Sequence, residues 1–202
     1  MKIAVIGSHG TFKTTLVYFL AGVLKAKGKN VGIIPEVARA CPYFKGSHGN
    51  VLAQNWITLT QAQWEREYQD TYDYVLCDRS LVDNYIYAVQ AYKNEEQIVP
   101  AWLEPFVLHH AKSYNFLFKT PVSPYGLIED GVRSVDRNWQ KEIDTQLKEY
   151  LKEKAISHLE LPVSESESYD DVIEYATRQA KFMANKIVDM DVQKRIFEEK
   201  YY

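Results

Sequence analysis

The 202-residue chain has only two cysteines, Cys41 and Cys77. That is too few for a disulfide framework, and both stand in apolar surroundings, which predicts reduced, partly buried thiols and a cytoplasmic setting. A long apolar run is also missing. The best stretch, 15–24, is about ten residues long with Lys13 and Lys25 near its ends, too short to span a bilayer and better explained as a helix. Charge of one sign is not in excess: 24 basic against 27 acidic side chains leave a net charge of −3. No global cationic field exists to draw the chain onto nucleic acid or anionic lipid, so neither nucleic acid nor a membrane is an expected partner. Glycine (9) and proline (7) are scarce while tyrosine (15) is plentiful, which excludes low complexity and disorder. The chain is expected to fold throughout as one domain, 1–202, and no internal repeat is visible.

Apolar periodicity then sets the fold class. Residues 2–6 (KIAVI) form a short run ending in Gly7, suited to a strand buried on both faces of a parallel sheet. Residues 14–26 carry Leu16, Phe19, Leu20, Val23 and Leu24 at helical spacing, closed by Lys25, Lys27 and Gly28. A second buried strand follows at 31–34. Strand, helix, strand is the unit of a parallel sheet. Further strands are expected at 74–77, 116–118 and 158–161. Helices are expected at about 56–72, after Ser80, whose spacing to Asp83 is that of a capping box, at about 102–111, from 134 to about 154, and from about 168. In the stripe of Trp64, Tyr68 and Tyr72 the four-residue steps predict packing and not base stacking. The histidines do not form ligand spacing with Cys41 or Cys77, so no structural metal site is expected. The expected architecture is α/β, a three-layer parallel five-stranded sheet. Residues 120–131, with Pro121, Pro124, Gly126 and Gly131, form a long loop expected to act as a mobile lid over about 120–137. The mixed-charge tail 194–202 reads as a frayed helix or an oligomer contact, which leaves a homodimer open.

Four windows carry chemistry. Between the first strand and the first helix stand Gly7, Ser8, His9, Gly10, Thr11, Phe12, Lys13, Thr14 and Thr15. This reads as a P-loop: backbone N–H groups curl around a phosphate at a helix N-terminus, Lys13 reaches the outer phosphates, and the Thr14 hydroxyl meets Mg2+. Phe12 stands where the pattern has its second glycine, and is tolerated there if its backbone is helical and its ring turns away from the phosphates. At the end of the second strand, Glu36 is expected to face the same crevice, where a carboxylate can accept a hydroxyl proton, with Arg39 beside it. Asp78 ends the third strand in the manner of a Walker-B carboxylate and is placed to hold Mg2+ through water, while Arg79 could neutralise developing phosphate charge. At the lid end, Arg133 and Arg137 are four apart at an expected helix start, on one face, ready to swing over a triphosphate.

Taken together, GSHGTFKTT, IPEVAR, CDRSLVDNYIYA and DGVRSVDR resemble the P-loop kinases of the nucleoside kinase type, notably ribosylnicotinamide kinase-like ATP-binding proteins, with an echo of the deoxynucleoside kinases. The resemblance covers most of the first 150 residues. It implies that Glu36 is the base for the substrate hydroxyl, that Asp78 with Arg79 takes the carboxylate-arginine role after strand three, and that a helical glutamine, Gln61 being the nearest candidate with Gln63 close by, reads the base. The expected function is transfer of the γ-phosphoryl group of ATP, with Mg2+, to a hydroxyl of a nucleoside-like small molecule. Two alternatives remain open: a nucleotide or 5′-hydroxyl polynucleotide kinase, and a non-catalytic ATP-binding regulatory module whose turnover is weakened by Phe12.

Overall fold

The computed structural model describes residues 1–43, 49–122, 127, 135–164, 168 and 171–201, with backbone alone at 192 and 194–201. Five strands form one sheet: β1 (Lys2–Ile6), β2 (Val31–Ile34), β3 (Tyr74–Asp78), β4 (Phe116–Lys119) and β5 (Leu159–Glu160). Their spatial order is β2-β3-β1-β4-β5, and every pairing is parallel. The expected three-layer α/β class is therefore what the chain adopts. β1 lies between β3 and β4, with Val5 opposite Asp78 on one side and Phe118 on the other. The connection from β3 to β4 steps over β1, which makes the carboxyl end of β1 a switch point where a crevice opens.

Alternation along β1 explains why an uninterrupted apolar run was needed. Ala4 and Ile6 join a core with α2 (Val51–Gln69), α3 (Leu81–Asn94), α4 (Leu103–Ala111) and α5 (Arg137–Glu153). Ile3 and Val5 join a second core on the opposite face, with α1 (Lys13–Ala26) and α6 (Val172–Tyr201). Leu16, Leu20 and Leu24 of α1 are fully buried there, each contributing roughly 2 kcal/mol relative to exposure. The aromatic stripe packs as expected: Trp64 and Tyr68 of α2, and Tyr72 just past its end at Gln69, lie against the first core.

Helix starts are where the structure departs from sequence expectation. α2 begins at Val51, five residues early, because the Asn50 side chain caps it by accepting from the Ala53 N–H at 2.8 Å. α5 begins at Arg137, not at 134, because Asp136 is its cap and accepts from the N–H groups of Asn138 (2.8 Å) and Trp139 (3.2 Å). α6 begins at Val172. The capping box of α3 is formed as expected, with Ser80 and Asp83 satisfying each other's backbone ends. Two buried ion pairs fix helices against the sheet: Lys2 to Glu65 of α2 at 2.7 Å, and Lys119 to Asp144 of α5 at 2.7 Å. Most of the expected lid, Arg133 included, lies outside the described residues. No described helix is long and apolar enough to cross a membrane.

Candidate active site

The loop from Gly7 to Phe12 leaves β1 and turns into α1. Gly7 has φ +145°, and a Cβ there would stand 2.2 Å from the Thr120 hydroxyl oxygen, so only glycine lets the loop pass this close to the end of β4. Loop carbonyls are held by side chains. Gly7 O accepts from Arg79 Nη1 at 3.4 Å, and Ser8 O accepts from Thr11 Oγ1 at 2.9 Å and from Lys13 Nζ at 2.5 Å. Thr11 Oγ1 also pairs with Thr120 Oγ1 at 2.7 Å. Thr14 and Thr15 lie in the first turn of α1.

Phe12 does not meet the condition of a right-handed helical backbone under which a phenylalanine would be tolerated there. It is left-handed, φ 59° and ψ 20°, at the cap position of α1, while its carbonyl already accepts the Leu16 N–H at 2.9 Å. The loop needs this turn to bring Lys13 into the first helical position, so residue 12 takes the conformation a glycine would take. For an L-residue that conformation costs about 1–2 kcal/mol. The ring is half-buried.

Beside the loop stands a set of buried charges. Asp78, at the end of β3, accepts the Thr14 hydroxyl on Oδ2 at 2.5 Å. Its Oδ1 is buried and makes no hydrogen bond. Burial and the neighbouring Glu36 carboxylate push the Asp78 carboxyl above its ordinary range, against the opposing pull of Lys13, the Thr14 hydroxyl and Arg79. Glu36, just past β2, accepts from Arg79 Nε on Oε1 at 2.9 Å and from Arg39 Nε on Oε2 at 3.1 Å. Arg79 is itself left-handed, φ 83°, and meets Asp83 Oδ2 at 3.4 Å. Its guanidinium lies 4.9 Å from the Tyr87 ring centroid. Burial works against its charge, but Tyr87, Glu36, Asp83 and Asp78 outweigh that and hold it firmly cationic.

Glu36, Asp78 and Arg79 are thus brought to one crevice with the loop. Arg39, with 41% of its side chain exposed, sits at the rim. Gln61 is fully buried, unlike most helical glutamines; its Nε2 donates to the Arg79 carbonyl at 3.2 Å and to Glu65 Oε1 at 3.0 Å. Arg137 is exposed at the first position of α5. The expected shared face of Arg133 and Arg137 falls partly outside the described residues, at Arg133, while Arg137 is the first residue of α5. Three participants were not read from sequence: Asp83 as a partner of Arg79, Tyr87, whose hydroxyl accepts the His9 N–H at 2.9 Å, and Gln140, whose Nε2 donates to the His9 carbonyl at 2.7 Å. Asp83 was visible only as a cap, and for the other two the chain holds no local signal.

The donor set fits a hydrated divalent cation that shares its shell with phosphate oxygens. It offers one hydroxyl on Thr14 and one buried, half-satisfied carboxylate on Asp78. No group of three His, Cys, Asp or Glu among the described residues could hold a metal alone. Mg2+ keeps waters and binds with few protein ligands, as this arrangement requires.

Comparison with known proteins agrees with the fold. No curated protein matches the chain. Among solved structures it is similar to deoxyadenosine kinase from M. mycoides, solved with products dCMP and a flexible dCDP bound, with TM-score 0.62 and 17% identity over 94% of this chain and 100% of that one. It is also similar to thymidylate kinase from Ehrlichia chaffeensis, TM-score 0.60 and 17% identity over 91% of this chain and 98% of that one. A family model described as an AAA domain matches residues 2–171. The chain belongs to that AAA-domain family, built on the fold of the P-loop nucleoside and nucleotide kinases.

Proposed function

We propose that the protein is a small kinase that transfers the γ-phosphoryl group of ATP to a hydroxyl of a nucleoside-like molecule. The observation that carries this reading is the Arg79 bridge, which ties the Glu36 carboxylate (2.9 Å) to the Gly7 carbonyl of the phosphate loop (3.4 Å). A proton acceptor and a phosphate cradle joined by one guanidinium suit a reaction in which a hydroxyl attacks phosphorus.

In this reading Lys13 and the loop amides hold the phosphates. The Thr14 hydroxyl and, through water, Asp78 would hold Mg2+, which supplies charge neutralisation across the phosphates. Glu36 accepts the hydroxyl proton as the new O–P bond forms and the bond to the bridging oxygen of ADP breaks. Arg79 aims Glu36, and its own charge is shared with two carboxylates, so its chief role is orientation. Arg39 closes the rim, and Gln61, with both amide hydrogens engaged, supports the backbone of Arg79 and leaves only Oε1, which can accept from a donor group of the substrate. Arg133 and Arg137 remain the candidate lid arginines, and a soluble, cytoplasmic setting fits this chemistry. The left-handed Phe12 favours one rival, an ATP-binding module with little turnover.

The test is ADP release with Mg-ATP against ribonucleosides, deoxynucleosides, nicotinamide riboside, their monophosphates and a 5′-hydroxyl oligonucleotide. Stimulation by a nucleoside class is the expected result. ATP binding with no acceptor-dependent turnover would transfer the case to the regulatory module.

A further inference from the structure

A loop that turns its N–H groups inward toward an anion must turn its carbonyls outward, and each outward carbonyl needs a donor. Arg79 serves Gly7, and Thr11 with Lys13 serves Ser8. The His9 carbonyl is served from elsewhere, by Gln140 Nε2 at 2.7 Å, in the first turn of α5 just beyond the lid. Gln140 is 1% exposed. Its orientation is not ambiguous, since only the amide NH2 can donate to a carbonyl. Its Oε1 is buried without a hydrogen-bond partner, so the side chain gives up one solvated group to make this single bond.

The bond has a consequence across the peptide. The His9–Gly10 peptide is trans, since no cis bond is present. In a trans peptide the carbonyl and the next N–H point in opposite directions. Gln140, by holding His9 C=O on the α5 side, therefore turns the Gly10 N–H the other way. Gly10 has φ +68°, and its missing Cβ would stand 3.3 Å from Gln140 Nε2 and 2.2 Å from Leu127 Cδ2. A glycine here leaves the peptide free to flip if the bond is lost.

We propose that Gln140 is a positioning residue for phosphate binding, which locks the His9–Gly10 peptide in the anion-binding orientation and ties α5 to the loop. The proposal rests on the phosphoryl-transfer reading for the identity of the anion. Gln140→Leu keeps most of the volume and removes the donor. By calorimetry it should weaken MgATP and MgADP about tenfold, the equivalent of one lost hydrogen bond, and leave adenosine binding unchanged. Gln140→Glu gives a readout that simple packing would not move. Ionised, it faces the His9 carbonyl with no donor; protonated, it donates again, so its deficit relative to wild type should narrow between about pH 8 and about pH 5. Wild-type affinity for MgADP in Gln140→Leu, an equal loss for adenosine and MgADP, or a pH-independent deficit in Gln140→Glu would overturn the positioning role alone. A wild-type protein that binds no MgATP would instead remove the phosphoryl-transfer reading and this role with it.

Discussion

Phe12 offers a perturbation whose size follows from one dihedral angle. Phe12→Ala and Phe12→Gly remove the same ring, so their difference isolates the backbone at φ 59°. An L-residue in the left-handed region costs about 1–2 kcal/mol. Alanine recovers about 0.4–1 kcal/mol because its unfolded chain has less freedom to lose than glycine's. The balance favours Phe12→Gly by about 0.5–1 kcal/mol, which for a chain of this size raises its melting temperature about 1–4 °C above that of Phe12→Ala. Thermal and urea unfolding of both variants, without nucleotide and in one buffer, measure it. Equal stability, or a more stable alanine variant, would mean that residue 12 is not held left-handed, and the account of how the loop enters α1 would fall.

Asp78→Asn should separate stability from activity. The folded Asp78 carboxyl titrates above its ordinary value because burial and Glu36 disfavour the ionised form. Its contribution to stability is therefore present below the unfolded pKa and lost as pH rises through the folded one. The asparagine variant should melt higher than wild type at pH 7 with no nucleotide, lose that advantage as the pH falls toward about 4, and fail in turnover. A variant less stable than wild type at pH 7 would contradict the sign. Glu36→Gln keeps the volume and one acceptor for Arg79, so MgATP affinity should change little while kcat drops about 10²–10⁴-fold. Steady-state kinetics beside calorimetry decides this, and an undiminished kcat would remove Glu36 from the reaction.

The parts of this molecule legible in its sequence are those whose physics is local. KIAVI reads as a strand because both faces of β1 are covered, and the turn from β1 into α1 is legible because Gly7 ends the apolar run and a helical stripe follows Lys13. Asp78 and Glu36 could be placed at strand ends, since a parallel sheet collects those ends on one side. Helix starts were less legible because Asn50 and Asp136 stand in polar stretches where many residues could cap. Least legible were contacts between distant segments. Gln140 meets His9 across 131 positions and Tyr87 meets it across 78, and only the sheet order, which sets β1 between β3 and β4, brings α3 and α5 to the loop. Gln61 belongs with these: nothing in the α2 pattern announces that Glu65 and the Arg79 carbonyl will engage its amide.

In the proposed reaction the loop around Lys13 drives transfer to a small hydroxyl acceptor. Acceptor-dependent ADP release, compared between wild type and Lys13→Ala with the melting curve of each as a control on folding, tests it most directly. Nucleoside-stimulated release in the wild type, and its loss in a variant that still melts cooperatively, is the expected result. An equal rate in folded Lys13→Ala would contradict it.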